Sequence, residues 1–350
     1  MKRTSSIIFL FIVIIVISFL SCKTKSISVK VLKPAEIYVP SNIKTLAVVN
    51  RSLPAKGNGN QFNNVVEGII SGEGLFVDRE ASQRTVNGLA DGLQNSPRFS
   101  ITVLDGLNLR GTGTAKFPAP LPWQQVSQIC RDYSADALIL LETFDSNTSR
   151  RYRSQQKTVK EDNKDVTYTE YNATIDISIN AGWRIYDPKN QKIVDQNVFT
   201  DRKAWNRNGR TKTEAQNNLP KQAYAVKDAG YYAGKRYAVR ISPNWIWVSR
   251  HYFVKGNDDF KNAKYKADAK QWQDAADIWK RYVNDPDIKI AGRACYNMAL
   301  ASEIFGKFDV ALDWAQKAYA DYRLKDARQY INILENRIRD AKRLNRQMNN

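Results

Sequence analysis

One long alternating stretch, from Ala173 to Ile185, limits the possible folds more than any other part of the chain. Apolar residues occupy every second position there, and polar residues lie between them. A period of two is typical of a strand with one buried and one solvated face. The turn signal Asp187-Pro188-Lys189-Asn190 follows, so Lys192 to Thr200 is predicted to return as the partner strand. Ser149 to Tyr171 is predicted to form a basic hairpin that projects from the same sheet.

The chain before this stretch alternates between predicted strands and helices. Thr45–Asn50, Phe99–Val103 and Ala135–Leu141 have the pattern of short strands, while Ser82–Gln94 and Trp123–Tyr133 have helical spacing. A further helix is predicted from Thr213 to Tyr237. Gly230 and Gly234 give it a small-residue face, which suits either tight packing inside the protein or an oligomer contact.

From Asn257 onward the pattern is entirely helical. Small and aromatic residues recur at about 36 residues, close to the 34 of the tetratricopeptide repeat. The sequence therefore predicts an α+β fold with a mixed, mostly antiparallel sheet and flanking helices, followed by an all-α tetratricopeptide-like domain. The predicted boundaries are a lipoprotein signal peptide at 1–21, a tether at 22–40, an α/β sheet domain with a long hairpin at 41–256, and helical repeats with a capping helix at 257–350.

The N-terminus has the composition of an export signal. Met1-Lys2-Arg3 precedes an apolar run from Ile7 to Leu20, and Ser21-Cys22 follows it. This run of fourteen residues is shorter than the roughly 20 that a transmembrane helix needs. Phe19-Leu20-Ser21-Cys22 resembles the bacterial lipobox, which implies cleavage before Cys22 and lipid attachment to its thiol. Since Lys23 is not the Asp that retains lipoproteins at the inner membrane, the resemblance implies a lipid-anchored outer-membrane protein facing the periplasm.

The charge of the chain is strongly positive. There are 54 Lys and Arg against 35 Asp and Glu, a net charge of +19, and loss of Lys2 and Arg3 with the signal would leave +17. Outside the cytoplasm such a field attracts lipid headgroups and anionic wall polymers. We therefore expect a membrane attachment and no nucleic-acid partner.

No catalytic set stands out in the sequence. His251 is the one histidine, its strand-like surroundings favour a half-buried structural role, and neither an HExxH motif nor a P-loop occurs. We predict no catalytic residue, metal or cofactor. The acidic group Glu67, Glu73, Asp78 and Glu80 keeps a sugar-hydrolysing enzyme open, because the spacing of carboxylates in space is not visible here. Cys130 and Cys295 are expected to be two buried thiols, with an interdomain disulfide as the alternative.

Helical repeats commonly offer a groove to a protein partner. Five residues of the helical region are weak candidates for such contacts: Trp272, Trp279, Phe308, Arg337 and Arg339. Equally, two repeats and a capping helix could serve only to brace the sheet domain.

Two family resemblances add to this picture. Through Val65–Glu73, Asp78 and Gly92–Phe99 the chain resembles uncharacterised bacterial lipoproteins with a tetratricopeptide C-terminal region, a likeness that implies architecture without a mechanism. Through Ala135–Leu138 and Trp183–Asp187 it loosely resembles the domain shared by the curli secretion channel subunit and the penicillin-binding-protein activators. That likeness implies helices against a mostly antiparallel sheet, and action by binding other envelope proteins.

The sequence favours a non-enzymatic, lipid-anchored envelope protein that binds or scaffolds a protein partner. The alternatives are a peptidoglycan-acting enzyme and a subunit of a ring-forming outer-membrane secretion assembly. In the latter, the basic hairpin would supply transmembrane strands, but Gln155-Gln156 and many Lys and Arg are costly at bilayer depth.

Overall fold

A computed structural model describes residues 23–53, 72–94, 96–107, 109–113 and 115–349, with the backbone alone at 72–76. The predicted signal peptide, Cys22 and Glu67 lie outside these residues. The chain forms two compact units. The sheet unit is Lys33–Asn244 with Leu344–Asn350, and the helical unit is Trp245–Arg343 with Met1–Leu32.

The described strands are β1 Thr24–Lys33, β2 Thr45–Asn50, β3 Ser100–Val103, β4 Ala137–Glu161, β5 Lys164–Asp187, β6 Lys192–Gly209 and β7 Asn244–Phe253. The described helices are α1 Gly72–Gln94, α2 Trp123–Asp132, α3 Lys212–Asn217, α4 Gln222–Ile241, α5 Asp258–Asp268, α6 Trp272–Lys280, α7 Ile288–Ile304, α8 Phe308–Ala320 and α9 Asp326–Asn349. The predicted fold class, α+β followed by an all-α region, is confirmed.

The sheet unit is built on a five-stranded mixed sheet of order β3-β2-β4-β5-β6. β2 runs parallel to β3 and β4, whereas β4, β5 and β6 form an antiparallel meander. The predicted alternation places Ile175, Ile177, Ile179 and Trp183 in the core. The predicted basic hairpin is the outer part of β4 and β5, which turns at Asp162-Asn163, both with positive φ.

Helices cover the sheet unevenly. On one face α1 and α4 pack on β2, β4 and β5, where Trp183 stacks on Tyr237 at 4.6 Å between ring centroids. On the other face α2 inserts Val126, Ile129 and Cys130 against the short β2 and the first residues of β4. The core of this second face does not extend along the antiparallel meander, so the meander has one packed and one open face.

The helix predicted at Thr213–Tyr237 is two helices, α3 and α4. Pro220 lies between them and interrupts the helix. A proline lacks the N–H that a continuous helix would use, and it disfavours helical backbone at the preceding residue. The small-residue face of α4 packs tightly within the unit, as one of the two alternatives expected. A Cβ added at Gly234 would lie 1.9 Å from the carbonyl oxygen of Thr85 in α1.

The helical unit contains two helix hairpins and a last long helix. The α5–α6 and α7–α8 pairs repeat at 36 residues: Trp272 and Phe308 each begin a second helix. The turn before each of these helices contains a residue with positive φ, Lys270 in one hairpin and Gly306 in the other. Ala263, Ala275, Ala299 and Ala311, all fully buried, let the helices approach closely.

The predicted tether, 22–40, is wrong for much of its length. Residues Thr24–Lys33 form β1, which pairs with β7 in a two-stranded sheet of the helical unit. Lys25 forms an ion pair with Asp268 at 2.5 Å. The predicted domain boundary after 256 also shifts, because Trp245 onward belongs to the helical unit.

Candidate functional site

The five predicted partner-binding residues do not form one surface. Trp279 is fully buried, so it cannot contact a partner, and that prediction is corrected. Trp272 is partly buried with its ring against Tyr252. The Arg337 guanidinium lies 4.7 Å from the Phe308 ring centroid and donates to the carbonyl of Leu32. Of the five residues, Arg339 alone is exposed.

Two other indoles are exposed on the helical unit. Trp245 and Trp247, two positions apart on β7, lie on one face of the β1–β7 sheet with 49% and 69% of their surface accessible. The Lys30 ammonium of β1 lies 5.1 Å from the Trp245 ring centroid. Their alternation with Ile246 and Val248 was the signal that sequence reasoning could have used, because it places both Trp on one side of a strand.

The inner end of β7 is held by buried polar groups. The Asn297 amide of α7 donates to the carbonyl of Phe253 at 2.7 Å and accepts from its N–H at 2.8 Å, so this side chain takes the place of a neighbouring strand. Arg250 makes two hydrogen bonds of 2.8 Å to the buried Glu303 carboxylate, which also accepts from the Tyr330 hydroxyl at 2.7 Å. These bonds fix the strand that carries the two exposed Trp.

His251 lies half-buried in β7, as the sequence favours. Its ring stacks on Tyr296 at 5.1 Å, and Nε2 lies 2.9 Å from the Tyr296 hydroxyl. Cys130 and Cys295 are both free and buried in the cores of their own units. Burial raises the pKa of the Cys130 thiol to about 11 and that of Cys295 to about 12, so neither is a thiolate near neutral pH. In the described part of the chain no cluster of His, Cys, Asp and Glu is placed to hold a metal ion.

A buried ion cluster occupies the sheet unit. Glu142 of β4 accepts from Arg51 at 3.1 Å, from Arg184 at 2.8 Å and from the Tyr186 hydroxyl at 3.1 Å. Burial raises the pKa of Glu142, while the two guanidinium groups and the hydroxyl act against this shift. The two arginines also donate to the carbonyls of Arg110, Pro118 and Ala119, so the cluster holds the loop that follows β3.

The predicted acidic group is dispersed in the described structure. Ser146 donates to the Asp78 carboxylate, and burial together with the nearby Asp145 raises the pKa of Asp78 to about 6. Glu80 is exposed and pairs with Lys227 at 2.9 Å. The side chain of Glu73, like Glu67, lies outside the described residues.

A cleft opens where the parallel strands β2 and β3 end. It encloses about 530 Å³ and is lined by Asn50, Arg79, Gln83, Asp105 and several leucines. The carboxyl ends of parallel strands are a common place for ligands. Here Gln83 donates to Asp105 at 2.7 Å and Asn50 donates to Ser82 at 2.9 Å, so much of the polar lining is already paired within the unit.

None of the described helices is both long enough and apolar enough to cross a bilayer.

The comparison with family models shows where this chain belongs. The domain of unknown function DUF8603 matches residues 43–253, and the domain of unknown function DUF6340 matches residues 261–336. The first match covers more than half of the chain, so the protein belongs to the DUF8603 family. Its bounds include the five-stranded sheet and its helices, and the second match falls on the helical unit.

Among curated proteins nothing matches the chain. Two solved structures are distantly similar. A neuraminyllactose-binding hemagglutinin homolog from Helicobacter pylori is 10% identical with a TM-score of 0.24, covering 59% of this chain and 88% of its own. A PelC dodecamer from Paraburkholderia phytofirmans is 9% identical with a TM-score of 0.21, covering 62% of this chain and 99% of its own.

Proposed function

We propose that this protein is a non-enzymatic, lipid-anchored protein of the bacterial outer membrane that binds an envelope protein through the exposed face of β7. The observation that carries the proposal is the pair of accessible indoles, Trp245 and Trp247, on one face of a fixed strand. Trp is enriched among the residues that dominate protein–protein binding. An exposed pair is costly to solvate and gains most from a partner that covers it.

The partner favoured by this surface carries acidic residues. From Lys23 to Ala35 the chain contains four lysines and no carboxylate, and one of them, Lys25, is already paired with Asp268. Lys30, beside Trp245, places one of these charges on the aromatic face itself. A partner that presents apolar side chains bordered by Asp or Glu would match both features.

The lipid anchor is proposed from sequence. Ser21-Cys22 at the end of the apolar run supports it, as does the resemblance to bacterial lipoproteins, and a periplasmic orientation follows from that resemblance. We expect radiolabelled palmitate to be incorporated into the wild-type protein and not into Cys22→Ala. Labelling that persists in the variant would contradict the anchor.

Partner binding at the exposed face of β7 can be tested by site-specific crosslinking in intact cells. A photo-reactive amino acid at position 247 is expected to give one discrete adduct, to be identified by mass spectrometry. The same amino acid at position 265 is the matched control, because Tyr265 of α5 is equally exposed at 69%. Purified partner should then bind Trp245→Ser at least tenfold more weakly than wild type, and Tyr265→Ser unchanged. Equal adducts at both positions, or equal binding by the two variants, would contradict the proposal.

A further inference from the structure

The open face of the antiparallel meander is a regular array of small polar side chains. It is formed by five rows across β4, β5 and β6, set by the strand register. The rows are Asp145, Asn180 and Thr200; Asn147, Ser178 and Arg202; Ser149, Asp176 and Ala204; Arg151, Thr174 and Asn206; and Arg153, Asn172 and Asn208. We call these fifteen residues the polar face. None of them is buried, whereas the alternate residues of β5, from Ile175 to Ile179, lie in the core.

The composition of the polar face runs against strand preference. Seven of its fifteen residues are Asn or Asp, which are depleted in strands, two are Ser, and one, Ala204, is apolar. A face needed only for solubility could use Thr, which is enriched in strands, or Lys and Glu, which are depleted less than Asn and Asp. Positions that break a local rule within an otherwise consistent element are expected at functional sites.

Hydrogen bonds link most rows of the polar face, including the central pairs Arg151–Asp176 and Thr174–Asn206. Asn180 donates to Asp145 at 3.2 Å and accepts from Thr200 at 2.7 Å. At the opposite end Asn172 donates to Asn208 at 2.6 Å. By contrast, the Ser178 hydroxyl and the Arg202 guanidinium make no side-chain hydrogen bond to another described residue, although Asn147 of the same row donates to Asp145 at 3.0 Å.

A shallow groove of about 380 Å³ lies over Ser178, Arg202 and the neighbouring row. Asn147, Ser149, Arg151, Asp176, Ser178 and Arg202 contribute to its lining. Arg151 is tied to Asp176 at 2.6 Å. Arg202, and Arg153 further along the face, form no ion pair within the described chain, so two guanidinium groups are available beside a row of amides and hydroxyls.

We propose that the polar face binds an acidic polysaccharide along the strands. Amide, hydroxyl and carboxylate groups donate to and accept from sugar hydroxyls, and the guanidinium of Arg202 or Arg153 pairs with a carboxylate on the glycan. Three arginines against two aspartates give the face a net positive charge that complements such a chain. Five rows spaced two residues apart extend over about 27 Å, which admits several sugar units.

Other classes of partner fit this surface less well. Protein interfaces are enriched in aromatic residues and depleted in Ser and Asp at their cores, the reverse of this composition. Single-stranded nucleic acids use aromatic platforms, and bilayers use apolar insertion, and the polar face has neither kind of residue. The polar face lies in the sheet unit, and its binding of a glycan does not depend on the contact proposed for Trp245 and Trp247 of β7.

Calorimetry on the purified protein with polygalacturonate oligomers tests the proposal. Neutral dextran and inorganic polyphosphate separate glycan recognition from simple charge attraction. We expect binding to polygalacturonate alone, weakened about tenfold in Arg202→Gln, since a hydrogen bond to a charged group contributes that much. Asn147→Val, which replaces an amide by a good strand former, should weaken binding without loss of fold.

The matched control is Arg207→Gln. Arg207 lies on β6 next to the polar-face positions 206 and 208, is exposed, and points to the opposite side of the sheet. Arg207→Gln removes the same charge as Arg202→Gln, so retained glycan binding in this variant supports the proposal. Equal binding of polyphosphate and polygalacturonate, equal weakening by Arg207→Gln and Arg202→Gln, or no binding of polygalacturonate would overturn it.

Discussion

The Glu142 carboxylate stabilises two guanidinium groups inside the sheet unit. Arg184 has 2% of its side chain exposed and Arg51 10%, and both donate to this one acid. Without it, both cations would remain buried with only neutral acceptors. Loss of one partner of a buried pair typically costs about 3 to 5 kcal/mol.

We therefore expect Glu142→Gln to lower the free energy of unfolding by about 3 kcal/mol, measured by urea denaturation. Glu161→Gln is the control on the same strand. It breaks the exposed pair with Arg210, and exposed pairs contribute little, so its stability should be nearly that of wild type. Equal losses of unfolding free energy in the two variants would show that the buried cluster stabilises the fold no more than an exposed ion pair does.

Asp78 makes the stability of the sheet unit depend on pH. Its pKa is raised from 3.8 to about 6 by burial, so the folded protein retains a proton that the unfolded chain releases. This contribution is complete below pH 4, is lost as the pH rises toward 6, and is absent above 7. The loss amounts to about 2 kcal/mol after allowance for partial solvent access.

Asp78→Asn keeps a side chain that accepts from Ser146 and removes the titration. We expect the variant to match the wild type at pH 4 and to exceed its free energy of unfolding by about 2 kcal/mol at pH 7.5, in urea titrations at both values. A constant difference across this range would contradict the assignment.

The buried charges could not have been predicted from the sequence. Arg184 and Glu142 are 42 positions apart, and each appears locally as one charged residue in an apolar strand. Only the register of β4 against β5 brings them together. The exposed Trp of β7 were visible in the sequence, but their accessibility depends on which side of the strand packs on helices.

Glycine residues in both helices determine how closely α1 and α4 pack. Gly234 and Gly230 of α4 lie against the backbone of α1, and Gly88 of α1 lies against Tyr231 of α4. The absence of side chains at these positions lets the two helices pack backbone to backbone over the sheet.

Gly234→Ala should therefore destabilise the protein by about 3 kcal/mol, because the new methyl group would overlap the Thr85 carbonyl and push the helices apart. Thermal denaturation followed by circular dichroism would measure the loss. Gly106→Ala is the matched substitution, since an added Cβ there has nothing within 4 Å, and its melting temperature should change little. A neutral Gly234→Ala would mean that the helices separate without cost.

Strands whose apolar residues alternate clearly were predicted from the sequence. A strand whose lysines also suited a solvated segment was not. The alternation of β5 identified a long strand with one buried face, because its apolar face is unbroken. β1 has the same signal, with Ile27, Val29 and Val31 alternating with serines and a lysine, but its lysines and position next to the signal favoured a tether. The pairing with β7, more than two hundred residues away, stabilises it as a strand.

In the whole molecule, the two units are not two consecutive segments of the sequence. The helical unit takes its outer strand from the beginning of the chain, so a boundary drawn from composition alone misplaces both ends. The all-α character and its 36-residue repeat were accessible from sequence, because each hairpin carries its own pattern. The added strand was not, since long-range pairing leaves no local trace.

The hairpin of β4 and β5 extends past the end of β6. Pairing between β5 and β6 begins at Tyr171. Toward the hairpin tip, Gln155–Glu161 has Lys164–Glu170 as its strand partner and no third described strand beside it. A two-stranded ribbon is marginally stable on its own. Hydrogen–deuterium exchange should therefore be slow in peptides covering 174–183 and fast in those covering 155–170, and equal rates would contradict this.

Because this ribbon is hydrogen-bonded along one edge of each strand only, we expect its outer part, about 24 Å long, to bend more readily than the packed sheet. Bending at Asp162-Asn163 would then leave the hydrogen bonds between β5 and β6 intact.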